Sequence, residues 1–322
     1  LSTPRARCPT LPNFIDRVLK NMHRDGLDFR RVKNIFHTHG HFDHCQADKW
    51  IINHSKHDDV KVYCPKADTW RLRKGNGKKQ HDYFIANVSK YFKGDFGELM
   101  GKSGFGSISF QFKYFLNKIL NIPAIKEGNI VPLQDRDRIT IGTHQGIVYT
   151  TGGHTDGHSF FHLEEIDALA VGDHDAVNEL TCDYGKILQA SAIIQEINPS
   201  ITFTGHNSPF TTKLEVLNHS NRWFTQFDKM LGLFSKAAIK FSNQLPLSFF
   251  LSRLLGYSNS IDWIRYWAFQ TLFVVAKFAI DEGLGELRLD EERKDLFLEI
   301  KPEKLEKFQI SFKQKYLVSD TS

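Results

Sequence analysis

The chain has 322 residues, 41% hydrophobic and 25% charged, and its 42 Lys and Arg against 37 Asp and Glu leave a net charge of +5. These values exclude a disordered or collagen-like chain and provide ample apolar material for a core. A charge this small, spread along the whole length, does not by itself imply a nucleic-acid partner.

At roughly 150 residues per domain, the length suggests about two domains. Residues 13–24 place Phe14, Ile15, Val18, Leu19 and Met22 at helical spacing, with Gly26 as the stop. Residues 32–36 (VKNIF) read as a short strand running into a histidine-rich segment. A helix at 45–54 and a strand at 60–64 (VKVYC) follow. Strand, loop, helix, strand is an α/β order. Residues 74–128 break the rhythm with a polar loop and two aromatic-rich helical stretches, read as a helical insertion covering a pocket. Strands return at 138–142, 146–151, 159–163 and 168–172, then an amphipathic helix at 183–197 and a strand at 200–205. From residue 211 the chain reads as mainly helical, with turns at Pro246 and 256–260, a helix at 263–281 and a hairpin at 285–300. The most apolar stretch, 263–280, is interrupted by Arg265 and Lys277, which leave eleven uncharged residues between them. A membrane span needs about 20, so this reads as a buried helix and no membrane partner is expected.

Cys8, Cys45, Cys64 and Cys182 form no CxxC pair and read as free thiols of a reducing compartment, which points to the cytoplasm. The 27 phenylalanines read as an aromatic core, with an apolar ligand pocket as the alternative.

His39, His41, Asp43 and His44 fall within six residues directly after a strand. Imidazole and carboxylate are natural ligands of a divalent ion, and alternate residues of a bent loop can point to one side. Three further candidates each follow a strand and adjoin glycines that let the backbone turn tightly: His154 in TTGGHTDGH, Asp173 in AVGDHD and His206 in FTGHNSP. Strand carboxyl ends are where sites open in α/β folds.

The HxHxDH run at 39–44, the GHTxGH run at 153–158, the GD at 172–173 and the GH at 205–206 resemble the successive motifs of the metallo-β-lactamase superfamily. In order and spacing they are most similar to its glyoxalase II-like hydrolases. The resemblance covers about residues 27–212. It implies an α+β, four-layer αβ/βα sandwich over 1–212 with an insertion at about 74–128. It implies further a helical, winged-helix-like C-terminal region over 213–322. It also implies two divalent ions, zinc first, with iron or manganese accepted by the same donors. His39, His41 and His154 would hold one, Asp43, His44 and His206 the other, with Asp173 between them. Asp43 and Asp173 would be the catalytic carboxylates, Asp43 aiming the attacking water. His41, where oxygen-reducing flavodiiron members carry glutamate, speaks against that redox branch.

His158 is expected to orient neighbouring ligands, while His174 and Tyr184 are candidates for substrate contact. Cys45 and His37 are expected to pack beside the loop. The chain departs from the pattern at Gln46-Ala47, at Thr151-Gly152-Gly153-His154 and at Gly205-His206-Asn207, without losing a ligand type. Only one helix precedes VKNIF, so the leading strands of the family are expected to be missing. The first functional expectation is hydrolysis of a thioester, ester or lactone, with a small acyl or lactone molecule as partner. The alternatives are a metal-dependent phosphodiesterase or endoribonuclease gripping RNA through lysines such as Lys74, Lys78, Lys79 and Lys313, and an inactive truncated fragment.

Overall fold

A computed structural model describes residues 19–73, 86, 124–174, 182–242, 244–246, 273–274, 276–290 and 295–316. The insertion read at 74–128 falls almost wholly outside these residues, as do Phe14, Ile15, Val18, Lys74, Lys78 and Lys79, the turn at 256–260 and the first part of the helix read at 263–281. The backbone at Lys313 is helical, and its side chain is likewise outside the description.

A three-stranded parallel sheet runs in the order β1 (Asn34–Phe36), β2 (Lys61–Pro65), β3 (Ile130–Leu133). Two short helices, α1 (Phe42–Cys45) and α2 (Asp48–His54), connect β1 to β2, so the helix read at 45–54 is broken at Gln46-Ala47. A second sheet has five strands in sequence order: β4 (Arg138–Ile141), β5 (His144–Thr150), β6 (Ser159–Leu163), β7 (Ala168–Gly172) and β8 (Ile201–Thr204). The β4–β5 hairpin closes through a two-residue loop whose Gly142 has φ +65, the left-handed backbone such a tight loop demands. β7 and β8 are parallel and joined through α3 (Tyr184–Ile197). Asp183 caps α3, its carboxylate accepting from Lys186 N at 3.1 Å, a bond worth about 1 kcal/mol.

Three apolar layers hold these elements together. Between the sheets lie Phe36, Tyr63, Leu133, Ile139, Val148 and Phe161, with Phe36 and Tyr63 stacked at 4.4 Å. Outside the first sheet, Cys45, Val62, Cys64, Leu72 and Ile130 pack with Ile52 of α2. Outside the second sheet, Phe160, Leu169 and Val171 meet Ala190 and Ile194 of α3, and Val216 of α4 (Lys213–Lys240). Helix, sheet, sheet, helix is the four-layer sandwich expected from the sequence.

Beyond it the chain forms a third sheet in the order β10 (Gly285–Asp290), β11 (Asp295–Ile300), β9 (Gln244–Pro246), followed by α5 (Pro302–Tyr316). The expected hairpin is there in full register, from Gly285 opposite Ile300 to Asp290 opposite Asp295. Phe227 of α4 packs against Tyr184, Phe278 and Phe312, so these aromatic side chains fill a core rather than line a ligand cavity. Among the described residues, no helix is long and apolar enough to cross a membrane.

Candidate metal centre

β5, β7 and β8 run in one direction, because β5 and β7 each oppose β6 while β8 is parallel to β7. Their carboxyl ends therefore share one edge of the sheet, and from that edge come His154, Asp173 and His206. The loop after β1 and the short α1 supply His39, His41, Asp43 and His44. Backbone bonds tie these pieces together: Ser159 N to Thr38 O at 2.8 Å, and Gly205 N to Gly172 O at 2.8 Å.

The seven side chains fall into two groups. His39, His41 and His154 are buried, with one ring nitrogen from each within 4.8 Å of the others. His154 Nε2 lies 2.9 Å from His41 Nδ1, so the two rings aim donor atoms at a common point. His39 is 0% exposed, its Nδ1 meets Thr38 Oγ1 at 3.2 Å, and its Nε2 has no hydrogen-bond partner among the described residues. A buried, unpartnered nitrogen in such company is costly unless an ion fills the space. Asp43, His44, Asp173 and His206 form the second group, again with donor atoms within 4.8 Å of one another. His206 Nε2 donates to Asp173 Oδ2 at 2.9 Å, and His44 Nε2 lies 3.3 Å from Asp173 Oδ1. Asp173 also reaches the first group, its Oδ2 being 3.6 Å from His154 Nε2 and 3.9 Å from His39 Nε2. The donor set and its geometry fit two divalent ions flanking one carboxylate.

Electrostatics differ between the groups. Burial, helped by the neighbouring histidines, pushes His39 well below the ordinary histidine range, so its ring is neutral and carries one nitrogen lone pair able to act as a ligand. On Asp173 burial works toward protonation, but hydrogen bonds from His206 and His44 outweigh it and hold the carboxyl far below its usual range. Burial also opposes charge on His44, yet the bond to Asp173 and the charges of Asp43 and Asp173 together raise it. The first group is enclosed, whereas the His206 side chain is 53% exposed and that of Asp43 35%. Solvent therefore reaches the centre from the Asp43–His206 side.

A family model described as the metallo-beta-lactamase superfamily matches residues 9–219. The chain belongs to this superfamily. Among solved structures, a metallo-beta-lactamase family protein from Thermus thermophilus is 17% identical, with a TM-score of 0.64 over 88% of this chain and 85% of that one. A beta-lactamase domain protein from Burkholderia ambifaria is 14% identical, with a TM-score of 0.64 over 89% and 79%. At these identities the likeness is one of fold. No curated protein gives a significant match.

Two further histidines of this superfamily member, His158 and His174, are buried near the centre. His158 sits behind the first group, its Nδ1 2.9 Å from Thr151 Oγ1 and its ring 5.5 Å from that of His39; burial lowers it to about 3. His174 and Tyr184, read as candidates for substrate contact, are turned elsewhere. His174 follows Asp173 on the opposite face of the strand end, where it is buried with Nε2 2.9 Å from Ser191 Oγ of α3. Tyr184 is buried and donates to Trp223 O at 3.3 Å. His37, Cys45 and Asp48 form a third buried group, in which His37 Nε2 meets Asp48 Oδ2 at 2.7 Å and ties the end of β1 to α2.

Two carboxylates escaped the sequence reading. Asp48 is buried at the start of α2, where acidic residues ordinarily signal only a helix N-terminus. Asp68 stands in the 3-10 helix Lys66–Leu72 directly after β2, amid charged neighbours that suggest a solvated turn. Its burial is visible only in three dimensions. A cleft of about 740 Å3 opens between the sheets, lined by residues including Arg31, Phe36, Tyr63, Leu133 and Arg138. None of its lining residues belongs to the groups around Asp173.

Proposed function

We propose that the protein is a dinuclear metal-dependent hydrolase of the glyoxalase II-like kind, acting on a thioester, ester or lactone. Membership of the superfamily supports the reaction class. The observation that carries the reading is Asp173, one buried carboxylate facing both groups of donors. His39, His41 and His154 would hold one ion, Asp43, His44 and His206 the other, with Asp173 between them. Zinc suits this set of imidazoles and carboxylates, and iron or manganese is accepted by the same atoms. When bound, such ions lower the pKa of a water from 15.7 toward about 7 and stabilise negative charge developing on the attacked carbonyl oxygen.

The chain's own groups supply the rest. Asp173 stays ionised and balances the positive charge between the groups. His39, kept neutral by burial, presents a lone pair rather than a proton. Asp43 Oδ2 lies 3.6 Å from His206 Nε2 at the open side of the centre, placed to accept a proton from the attacking water and to orient it. No protein nucleophile is needed, and the enclosed histidines keep bulk solvent away from the opposite face.

The test is a panel of chromogenic thioesters, esters and lactones, with bis(p-nitrophenyl) phosphate beside them. Turnover of an acyl substrate that disappears on chelation and returns with zinc is the expected result. Turnover of the phosphodiester alone would move the assignment to a phosphodiesterase, and no turnover by fully loaded protein would refute hydrolysis.

A further inference from the structure

Asp68 lies outside both groups of donors yet joins the two loops that carry the first of them. It is 1% exposed. Its Oδ2 accepts the backbone N–H of Gly40 at 2.9 Å and the hydroxyl of Thr155 at 2.6 Å. Its Oδ1 accepts the N–H of Gly157 at 3.2 Å and faces Arg71 Nε at 3.6 Å. Gly40 is the residue between His39 and His41, and Thr155 follows His154. One carboxylate therefore ties together the backbone beside all three imidazoles of the first group, across chain separations of 28 and 87 residues.

The packing leaves this brace no slack. A Cβ at Gly157 would stand 2.8 Å from the Asp68 carboxyl carbon, and one at Gly40 would stand 3.0 Å from the Asp68 carbonyl oxygen and 3.0 Å from Arg71 Cδ. None of the side-chain bonds just described goes to Asp43, His44 or His206. A buried carboxyl group that accepts three hydrogen bonds is rigid, and rigidity at the carbons bearing the ligands sets how closely their nitrogens converge.

We propose that Asp68 is a positioning residue for the first metal group alone: it holds the His39–His41 loop and the His154 loop at the separation an ion requires. This rests on the metal reading above, and it makes the two groups differ in what supports them. The second group depends on Asp173 and on the ends of β7 and β8, not on this brace.

Cobalt(II) is titrated into the chelated protein in two backgrounds, following its absorption bands. Asp43→Ala leaves the first group intact, and His41→Ala leaves the second. Adding Asp68→Asn puts an N–H group where an oxygen accepted hydrogen bonds. The first group should then weaken by about 10–100-fold, the range typical of losing a residue that orients a ligand, with the second unchanged. Thr155→Val should weaken the first group in the same direction, and Thr155→Ser, which keeps the hydroxyl, should restore it; this pair serves if Asp68→Asn does not fold. Equal loss in both backgrounds would mean general destabilisation and overturn the proposal, as would no loss in either. Failure of the wild type and of both starting backgrounds to bind cobalt at all would instead refute the metal reading itself, and this inference with it.

Discussion

Asp173→Asn is expected to lower kcat/KM by about three orders of magnitude, roughly 4 kcal/mol of transition-state stabilisation. The substitution keeps the shape of the side chain and removes its charge. Four imidazole nitrogens, of His39, His44, His154 and His206, lie within 3.9 Å of its two oxygens. An amide offers one acceptor oxygen in place of two and turns an N–H toward nitrogens that must remain ligands. Both groups are affected at once, so metal analysis should show less than the wild-type content while far-ultraviolet circular dichroism is unchanged. Turnover within tenfold of wild type at full metal content would show that Asp173 does not bridge the groups.

The second large effect is expected at a residue with no side chain. Gly205 follows β8, and its N–H donates to Gly172 O at 2.8 Å, so its position is fixed. A Cβ built there would overlap Asp173 Oδ1 and lie 3.1 Å from His44 Cε1. Gly205→Ala must therefore displace the carboxylate or the loop bearing His206. A displacement of about 1 Å at such a site is enough to reduce activity by about 10²-fold. Loss should fall first on the ion of the second group, because His44 and Asp173 border the added methyl and His206 is the next residue in the chain. Activity equal to wild type in this variant would mean that the centre tolerates movement the account forbids.

The sequence made much of this architecture legible, and the exceptions have physical causes. β6 and β7 match the ranges read from SFFHL and ALAVG; the latter is a continuous apolar run between Asp167 and Asp173, which leaves few other readings. β3 and β9 were not anticipated, and both contain a proline, Pro132 and Pro246, which ordinarily argues against a strand. Each is an edge strand, where a missing N–H need not interrupt a ladder. α5 falls in the stretch read only as mainly helical, without bounds, although Pro302 at its first position is a recognised helix-start signal.

At the site, spacing and residue type were enough to single out the seven side chains that the fold brings together. Their support was not legible. Asp68 is 24 residues from His44 in the chain, and nothing local distinguishes it from a surface carboxylate. His174 illustrates the converse: adjacency to Asp173 in sequence places it on the opposite face, against Ser191. Ligands that cluster by motif can be read from letters, whereas bracing contacts between distant loops follow only from packing.

The most direct test of the central claim is anomalous diffraction from crystals of the zinc-loaded protein, recorded above and below the zinc edge. The account predicts two peaks, one among His39, His41 and His154, the other among Asp43, His44 and His206, with Asp173 facing both. A loaded protein whose only peak lies elsewhere, for example at His37, Cys45 and Asp48, would contradict it.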